Sequence, residues 1–297
     1  MNNIKIGFVG GDRRQSASAV FLANRGYECA VFGLEPDVKL PSECTSGGGI
    51  TRSASLYGAI AGAAVVVLPL PTTNDGIRVN CPSGCDIKLT DIFGLVSPSQ
   101  LVTGGRLDET IHKLAEDSGV KLIDYYKREE LAVGNSVPTA EGAVAVAMAE
   151  LPITLHGARA LIYGYGRIGK VLAKTLKALE ADVTVAARKP EDFIWIKVNG
   201  YHAQNIYQPP ECKPDVVFNT VPALVLCREA LLALEPGTLL IELASKPGGI
   251  DMKAAEELGH RVIWALSLPG RVAPVTSGNI IAQCLMSILS EEDNHEH

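Results

Sequence analysis

One short loop constrains the fold of this chain more than any other feature of its sequence. Gly164-Tyr165-Gly166-Arg167-Ile168-Gly169 follows an apolar, strand-like run (residues 160–163) and precedes a helix-like run that reaches Leu179. In a strand–turn–helix unit, the first glycine permits a tight turn, the second lets the backbone approach a pyrophosphate, and the third lets the helix pack on the strand. The loop therefore predicts a Rossmann domain that binds a dinucleotide at a helix N-terminus. A glycine-rich turn without a ligand is the alternative.

The residues after the next predicted strand bear on which dinucleotide binds. That strand spans residues 182–186, and Arg188 and Lys189 follow it. An NAD-binding domain usually has an acidic residue here, which hydrogen-bonds to the ribose hydroxyls. Two cations favour the 2′-phosphate of NADP instead, because arginine can bind phosphate through two hydrogen bonds. We therefore expect NADP, with NAD as the alternative if Arg188 only stacks on the adenine.

Two further loops follow later predicted strands of the same domain. Thr220-Val221-Pro222 comes after residues 215–219, and Ala244 comes after residues 239–243. Ligands of open α/β sheets bind beside the carboxyl ends of the strands, so both loops should line the cofactor. Lys246, in the second loop, either pairs with a substrate carboxylate, transfers a proton, or is a surface lysine.

The first half of the chain also alternates predicted strands and helices. The strand at residues 4–9 ends in a Gly10-Gly11 turn, and a helix-like stretch begins at Arg13. The turn lacks the full glycine pattern, so we expect no second dinucleotide. Arg13 or Arg14 at a helix N-terminus suits a small anion. Residues 71–94 have loop-like composition, and a loop of this length is often functional.

A third candidate region lies near the middle of the chain. Residues 138–151 predict a mostly apolar helix with Pro138 near its start, and Asn135 and Ser136 precede it. Hydroxyls and amides that face a cleft bind carboxylates well, and Glu141 is a candidate acid–base group. Alternatively, Ser136 or Thr139 caps this helix.

Length and composition limit the remaining possibilities. A chain of 297 residues with 47% hydrophobic content fits two α/β domains of average size. We expect a flavodoxin-like or Rossmann-like substrate domain at 1–134, a connecting helix at 135–155, an NADP-binding Rossmann domain at 156–275, and a C-terminal helix with a disordered tail at 276–297. The net charge of −6 argues against a nucleic-acid partner. No apolar run reaches the roughly 18 residues of a membrane span, and no signal peptide is visible, so we expect a cytoplasmic protein.

The seven cysteines do not predict a disulfide framework, because their number is odd and their spacing irregular. Cys81 and Cys85 have a spacing that zinc tolerates, and Cys44 is a conceivable third ligand. The sequence offers no good fourth ligand, so we expect reduced cysteines in a loop and no metal. His156 and His202 are isolated and are expected to be structural.

Taken together, these motifs resemble the family of A-type subunits of dipicolinate synthase, an enzyme of spore-forming bacteria. They occur in the family's order and cover nearly the whole chain. The matching segments are 9–13 with Gln15, 135–142, 164–169, 187–188, 219–222, 243–249 and 268–274.

The resemblance implies functions that the spacing alone does not. It implies a two-electron ring oxidation of a dihydrodipicolinate-type precursor to pyridine-2,6-dicarboxylate, in the mother cell during sporulation. It also implies NADP⁺ as the electron acceptor, and as partner the B-type subunit of dipicolinate synthase, which is smaller and flavoprotein-like. The apolar character of the connecting and C-terminal helices favours a homodimer.

The expected site follows from these arguments. Catalysis is assigned to Glu141 or Lys246, the two candidates for accepting the proton. Cofactor binding is assigned to Gly164, Tyr165, Gly166, Arg167, Ile168, Gly169, Arg188, Lys189, Thr220, Val221, Pro222 and Ala244. Dicarboxylate binding is assigned to Asp12, Arg13, Thr72, Asn135, Ser136, Pro138, Thr139 and Arg271.

Two other functions remain open at this stage. One is a two-domain dehydrogenase of 2-hydroxy or amino acids, although its expected set of histidine, arginine and carboxylate is not evident in the sequence. The other is a non-catalytic, NADP-binding scaffold.

Overall fold

The computed structural model describes residues 4–35 and 48–295. Internal contacts divide the chain into two units. One comprises the residues up to Gly134 together with those from Ala273 onward, and the other runs from Asn135 to Val272. The C-terminal helix, which the sequence assigned to neither domain, therefore belongs with the N-terminal half.

The first unit contains a six-stranded sheet. Its strands are β1 (Lys5–Val9), β2 (Glu28–Phe32), β3 (Gly49–Arg52), β4 (Val65–Val67), β5 (Leu101–Gly104) and β6 (Lys121–Asp124). Every neighbouring pair is parallel, and the order β3-β2-β1-β4-β5-β6 is that of the Rossmann fold rather than of flavodoxin. The apolar runs form the central strands because a parallel sheet is covered on both faces; Phe8 and Val66 are fully buried.

Short helices connect these strands. They are α1 (Arg13–Ala23), α2 (Leu56–Ile60), α3 (Leu89–Phe93), α4 (Glu109–Asp117) and a 3₁₀ turn (Tyr125–Lys127). Helix α3 lies inside the stretch predicted to be a loop, so that prediction was wrong for residues 89–93. Its buried Leu89 and Ile92 explain the helix, since tertiary packing stabilises a segment too short to be helical alone.

The C-terminal helix α11 (Pro274–His295) packs closely on α1. A Cβ at Gly278 would lie 2.4 Å from the Arg14 carbonyl oxygen, and the Ser18 hydroxyl donates a hydrogen bond to the Gly278 carbonyl at 2.7 Å. The predicted disorder from Ser290 onward was wrong as far as His295. Ion pairs of Glu291 with Arg128 and of Glu292 with Lys121 tie the last turns to the first unit.

The second unit repeats the same sheet architecture. Its strands are β7 (Arg159–Tyr163), β8 (Asp182–Ala187), β9 (His202–Asn205), β10 (Val216–Asn219), β11 (Leu239–Glu242) and β12 (Arg261–Trp264). All neighbouring pairs are parallel in the order β12-β11-β10-β7-β8-β9. The order reverses between β7 and β10, which is where open α/β sheets bind ligands. The predicted fold class, two doubly wound α/β sheets, is confirmed.

The helices of the second unit cover both faces of this sheet. They are α6 (Arg167–Ala178), α7 (Pro190–Val198), α8 (Arg228–Leu232), α9 (Met252–Glu257) and α10 (Leu268–Val272). The sequence predicted α6 within one residue of its observed end but missed the other four and β9. Strand β9 is polar along its length and lies at the edge of the sheet, so it lacks the apolar run that marks a buried strand.

Helix α5 (Glu129–Glu150) is longer than its sequence predicts. It begins nine residues before Pro138, which therefore lies inside the helix and not near its start. Neither Ser136 nor Thr139 caps it. Among the helices of the described residues, none has the length and apolar character needed to cross a bilayer.

Candidate functional site

The glycine loop of the second unit forms a tight turn between β7 and α6. Gly164 has a φ of +99°, and its N–H donates to the Ala186 carbonyl at 2.9 Å. A Cβ at Gly169 would lie only 2.0 Å from the Gly164 carbonyl oxygen. These two glycines are thus required by the protein's own packing, since one needs a positive φ and the other a close approach of helix to turn.

Gly166 differs from both. It precedes α6 with a φ of −81°, which any residue can adopt, and a Cβ built there would meet nothing within 4 Å. No side chain caps the helix at this position, and the first N–H groups of any α-helix have no acceptor within the helix itself. The open space and the helix N-terminus together fit a phosphate group.

The loop after β10 is tied directly to the glycine turn. Thr220 makes two hydrogen bonds to the Tyr163 carbonyl, from its N–H at 3.0 Å and from its hydroxyl at 2.8 Å. A Cβ at Gly164 would lie 2.5 Å from the Thr220 hydroxyl oxygen. Thr220 therefore brings the loop after β10 against the end of β7, across the point where the strand order reverses.

A buried carboxylate links the loops after β10 and β11. Glu242 is 1% exposed and accepts hydrogen bonds from the Asn219 amide at 2.8 and 2.9 Å, from the Ala244 N–H at 2.8 Å and from the Gly249 N–H at 2.9 Å. Asn219 in turn holds the Val221 N–H at 3.1 Å. Glu242 was not among the site residues predicted from the sequence. The available signal was an acidic residue that closes an apolar strand.

The loop after β11 presents Ala244 and Lys246 differently. Both backbone groups of Ala244 are engaged, because its carbonyl also accepts from the Trp264 indole N–H at 3.0 Å. Ala244 as a whole is buried, 5% exposed. Lys246 is exposed, and its Nζ lies 6.0 Å from the centre of the Trp264 ring. A cation over an aromatic face is weakly held, so Lys246 keeps a charged head that a carboxylate can reach.

Arg188 and Lys189 lie just beyond the carboxyl end of β8, the strand next to β7. Both are exposed, and Lys189 has a distant acidic neighbour, Glu191, at 4.0 Å. Within the described residues Arg188 has no ion pair or hydrogen bond. A guanidinium with all its donors free is suited to a phosphate.

Burial raises the pKa of two tyrosines at the glycine turn. It raises the pKa of Tyr163 strongly and that of Tyr165 to a smaller extent. Both phenols are therefore neutral throughout the physiological range. The Tyr165 hydroxyl accepts a hydrogen bond from Asn199 at 3.4 Å, whereas the buried Tyr163 hydroxyl has no partner among the described residues. Neither tyrosine supplies a charge to this site.

The candidate residues on α5 differ in their availability. The Asn135 side-chain oxygen is buried without a hydrogen-bond partner in the described chain, and Ser136 is 2% exposed. The Thr139 hydroxyl donates to the Asn135 carbonyl at 2.6 Å, a bond within the helix. Pro138 has no N–H, so the Gly134 carbonyl loses its usual helical donor. Glu141 is exposed, as is Arg271 on α10.

In the first unit, Asp12 and Arg14 bind each other. Asp12 caps α1 by accepting the Arg14 N–H at 3.0 Å, and its carboxylate also accepts from the Arg14 guanidinium at 2.8 Å. The same guanidinium donates to the Leu70 carbonyl. The Arg14 guanidinium is thus engaged in hydrogen bonds within the protein, whereas Arg13 is exposed and has no partner in the described residues.

The turn after β1 is covered by the chain itself. The Gly11 N–H donates to the Asn80 carbonyl at 2.9 Å, and a Cβ at Gly10 would lie 2.6 Å from a Val79 methyl. Val79 and Asn80 therefore occupy the position where a pyrophosphate would approach. Thr72 is fully buried, and its hydroxyl donates to the Pro69 and Gly105 carbonyls at 3.0 and 3.2 Å. Its hydroxyl hydrogen is therefore used within the protein and is not available to a substrate carboxylate.

Clusters of metal ligands are not found in the parts of the chain that the structure describes. Cys44, the third ligand considered for zinc, lies outside the described residues.

Comparison with known proteins identifies the relatives of this chain. Residues 5–126 match the family model of the N-terminal domain of the A-type subunit of dipicolinate synthase. The A-type subunit of dipicolinate synthase from Bacillus subtilis (strain 168) is 32% identical over 231 residues, covering 76% of this chain and 77% of that protein.

Solved structures give the same assignment. The crystal structure of the A-type subunit of dipicolinate synthase from Bacillus halodurans superimposes with a TM-score of 0.85 at 28% identity, covering 97% of this chain and 98% of that one. A transhydrogenase from Sinorhizobium meliloti shares the fold, with a TM-score of 0.70 at 15% identity, over 96% of this chain and 94% of its own.

Proposed function

The chain belongs to the family of A-type subunits of dipicolinate synthase, and on that premise we propose that it catalyses the NADP-dependent, two-electron oxidation of a dihydrodipicolinate-type precursor to pyridine-2,6-dicarboxylate. The observation that carries the proposal is the open position at Gly166. The packing of the protein requires glycine at 164 and 169, whereas at 166 it leaves open space beside the helix N-terminus that a ligand could occupy.

Residues of the second unit would hold the cofactor. The N–H groups at the start of α6 suit the pyrophosphate, and Arg188 with Lys189 suits a 2′-phosphate. Thr220, Val221, Pro222 and Ala244 would line the rest of the site. When bound, the nicotinamide ring supplies the acceptor for a hydride.

Exposed cations and amides suit the two carboxylates of the substrate. Arg13 and Arg271 are exposed guanidinium groups, and arginine matches the geometry of a carboxylate. Asn135 and Ser136 add polar groups on α5. The side-chain oxygen of Asn135 is buried and accepts no hydrogen bond from the described residues, so a donor on a ligand could satisfy it. Asp12 acts here by capping α1, and Pro138 by shaping the helix; neither offers a donor to a carboxylate.

Aromatisation also removes a proton from the ring. Glu141 and Lys246 are the two candidates for accepting it, and both are exposed to solvent. The more direct role of Lys246 is to pair with a substrate carboxylate, because charge-assisted hydrogen bonds between a lysine and a carboxylate are strong.

A partner and a cellular setting belong to the same function. We propose that the chain works with the B-type subunit of dipicolinate synthase, forms a homodimer, and acts in the cytoplasm of the mother cell during sporulation. Family membership supports the partner subunit and the setting. The exposed Val137 and Met148 on α5 support the homodimer, whereas most apolar residues of α11 are buried within the first unit.

An enzyme assay tests the reaction. The purified chain, alone and together with the B-type subunit, is mixed with freshly generated dihydrodipicolinate and NADP⁺, and both NADPH and dipicolinate are followed by ultraviolet absorbance. Equal amounts of the two products are expected. Cofactor binding without substrate-dependent reduction would instead indicate a scaffold, and turnover of 2-hydroxy or amino acids would indicate a different dehydrogenase.

Two variants separate the proposed roles. Glu141→Gln should lower kcat and leave cofactor affinity unchanged, because it removes only a base. Lys246→Ala should mainly raise the substrate KM. Lys253→Ala, an exposed lysine on α9, is the matched control and should behave as the parent.

A further inference from the structure

The turn between Val79 and Lys88 contains two cysteines whose side chains meet. The Ser83 hydroxyl lies 3.0 Å from the Cys81 sulfur and 3.4 Å from the Cys85 sulfur. The Cys81 sulfur also accepts a hydrogen bond from the Cys85 N–H, and the two thiols lie within hydrogen-bonding reach of each other. A β-turn closed by the Gly84 N–H and the Cys81 carbonyl, at 3.0 Å, brings the two residues together.

The two thiols are unequal in access. Cys85 is exposed, whereas Cys81 is partly buried and donates to the Gly33 carbonyl at 2.9 Å. Burial raises the pKa of Cys81. The exposed thiol therefore meets reagents first, and the sheltered thiol lies beside it to attack second. This is the arrangement of an attacking and a resolving cysteine.

The other described cysteines lack this arrangement. Cys29 and Cys284 are buried, and Cys212 and Cys227 are partly exposed without a cysteine partner. Among the described residues, no third metal ligand lies with this pair.

We propose that Cys81 and Cys85 form a redox-active dithiol, which converts to an intramolecular disulfide by exchange with a small-molecule disulfide. The Cys85 thiolate attacks one sulfur of the reagent and displaces the first thiol. The Cys81 thiolate then attacks the Cys85 sulfur and displaces the second. The protein loses two electrons and two protons, and the reagent gains both as two thiols.

The site adjoins the covered turn of the first unit. Val79 and Asn80, which contact Gly10 and Gly11, directly precede Cys81. Disulfide formation removes the Cys81 thiol hydrogen and so its bond to the Gly33 carbonyl. The test needs no enzyme activity, so its failure is distinguishable from failure of the proposed reaction.

The probe is glutathione disulfide, applied to the full native chain. After acid quenching, alkylation of free thiols and trypsin digestion, mass spectrometry examines the peptide of residues 79–88, which carries both cysteines and no others. This peptide should lose the mass of two hydrogens, resist alkylation, and regain both thiols with dithiothreitol. An unmodified peptide, or mixed disulfides alone, would overturn the proposal.

Three variants sharpen the test. Cys81→Ser should stop at a glutathione adduct on Cys85, because the resolving thiol is gone. Cys85→Ser should react with glutathione disulfide at least about tenfold more slowly than the native chain, because its remaining thiol, Cys81, is partly buried. Cys44→Ser should leave the two-hydrogen loss intact; if it abolishes that loss, the assigned pair is wrong.

Discussion

The Asn219 amide nitrogen lies 2.8 and 2.9 Å from the two carboxylate oxygens of Glu242, and both side chains are buried. Glu242 also binds the N–H groups of Ala244 and Gly249. Two loops that end neighbouring strands therefore share one carboxylate. Because these loops would line the cofactor, the shared carboxylate positions them together.

Removing this carboxylate should destabilise the second unit. Glu242→Ala leaves two backbone N–H groups buried without acceptors and removes one of the two acceptors of the Asn219 amide, which keeps its bond to the Val221 carbonyl. It should lower the free energy of unfolding by about 3 kcal/mol. Urea denaturation measures the change. Glu257→Ala, in an exposed ion pair with Arg228, should cost less than about 1 kcal/mol. Equal losses in both variants would contradict the role given to Glu242.

Gly166→Ala should weaken NADP⁺ binding without destabilising the fold. The added methyl meets nothing within 4 Å, so the unfolding free energy should change by less than about 1 kcal/mol. NADP⁺ affinity, measured by calorimetry, should fall at least about tenfold, because the methyl stands where the backbone would approach the pyrophosphate. Gly49→Ala, equally open but in the first unit, is the control. Unchanged affinity would place the cofactor elsewhere.

Arg188→Ala should change cofactor preference. Loss of charge-assisted hydrogen bonds to a 2′-phosphate should weaken NADP⁺ binding by about 10- to 100-fold. NAD⁺ binding should stay nearly unchanged, since NAD⁺ lacks that phosphate. Lys197→Ala, on the adjacent helix α7, should affect neither cofactor. Parallel losses for NADP⁺ and NAD⁺ would mean that Arg188 stacks on the adenine instead.

Only one dinucleotide should bind per chain, although both units have the Rossmann strand order. The turn after β1 is filled by Val79 and Asn80, and its Gly11 N–H is already bonded. The corresponding position at Gly166 is open. Calorimetric titration should give a stoichiometry of one. A second site that persists in the Gly166→Ala variant would contradict this account of the first unit.

Alkaline pH should destabilise the protein through Cys284. Burial, followed by the charge of Glu130, raises the pKa of this thiol from 9.0 to about 12. Between these values the folded protein keeps a proton that the unfolded chain releases, so stability falls as pH rises, by up to about 1.4 kcal/mol per pH unit. Tyr125 and Tyr163, whose pKa values are also raised by burial, add to the loss at higher pH. Cys284→Ala should flatten the stability profile between pH 9 and 10 in urea denaturation; a parallel profile would contradict this.

Local patterns in the sequence predicted the elements that matter most for the cofactor. The glycine spacing, the apolar run before it and the helix-like run after it lie within twenty residues, so each glycine's role follows from its neighbours. The same holds for the central strands, whose continuous apolar runs reflect burial on both faces. These features predicted the fold class and the position of the glycine loop correctly.

Several of the sequence errors share one cause, which is distance along the chain. Helix α3 and the end of α11 are stabilised by partners remote in sequence, such as Arg128 for Glu291. The shared carboxylate at Glu242 joins residues 23 apart, and Thr72 is buried by a contact with Gly105, 33 residues away. The local periodicity of apolar residues cannot predict such contacts, because hydrogen bonds between loops depend on how the strands are ordered in the sheet.

Sequence alone thus determined that this chain folds into α/β units and carries a glycine-rich strand–turn–helix motif at Gly164 to Gly169, because those properties depend on neighbouring residues. Tertiary structure alone decided which of two similar turns is open. Gly10 and Gly11 make a turn much like that at Gly164, with Gly10 bonded to the end of β2 at 2.8 Å as Gly164 is to the end of β8 at 2.9 Å. The difference is that a segment some seventy residues further along the chain covers the first turn. Space for a ligand is a property of what packs above a turn, and only the folded chain specifies that.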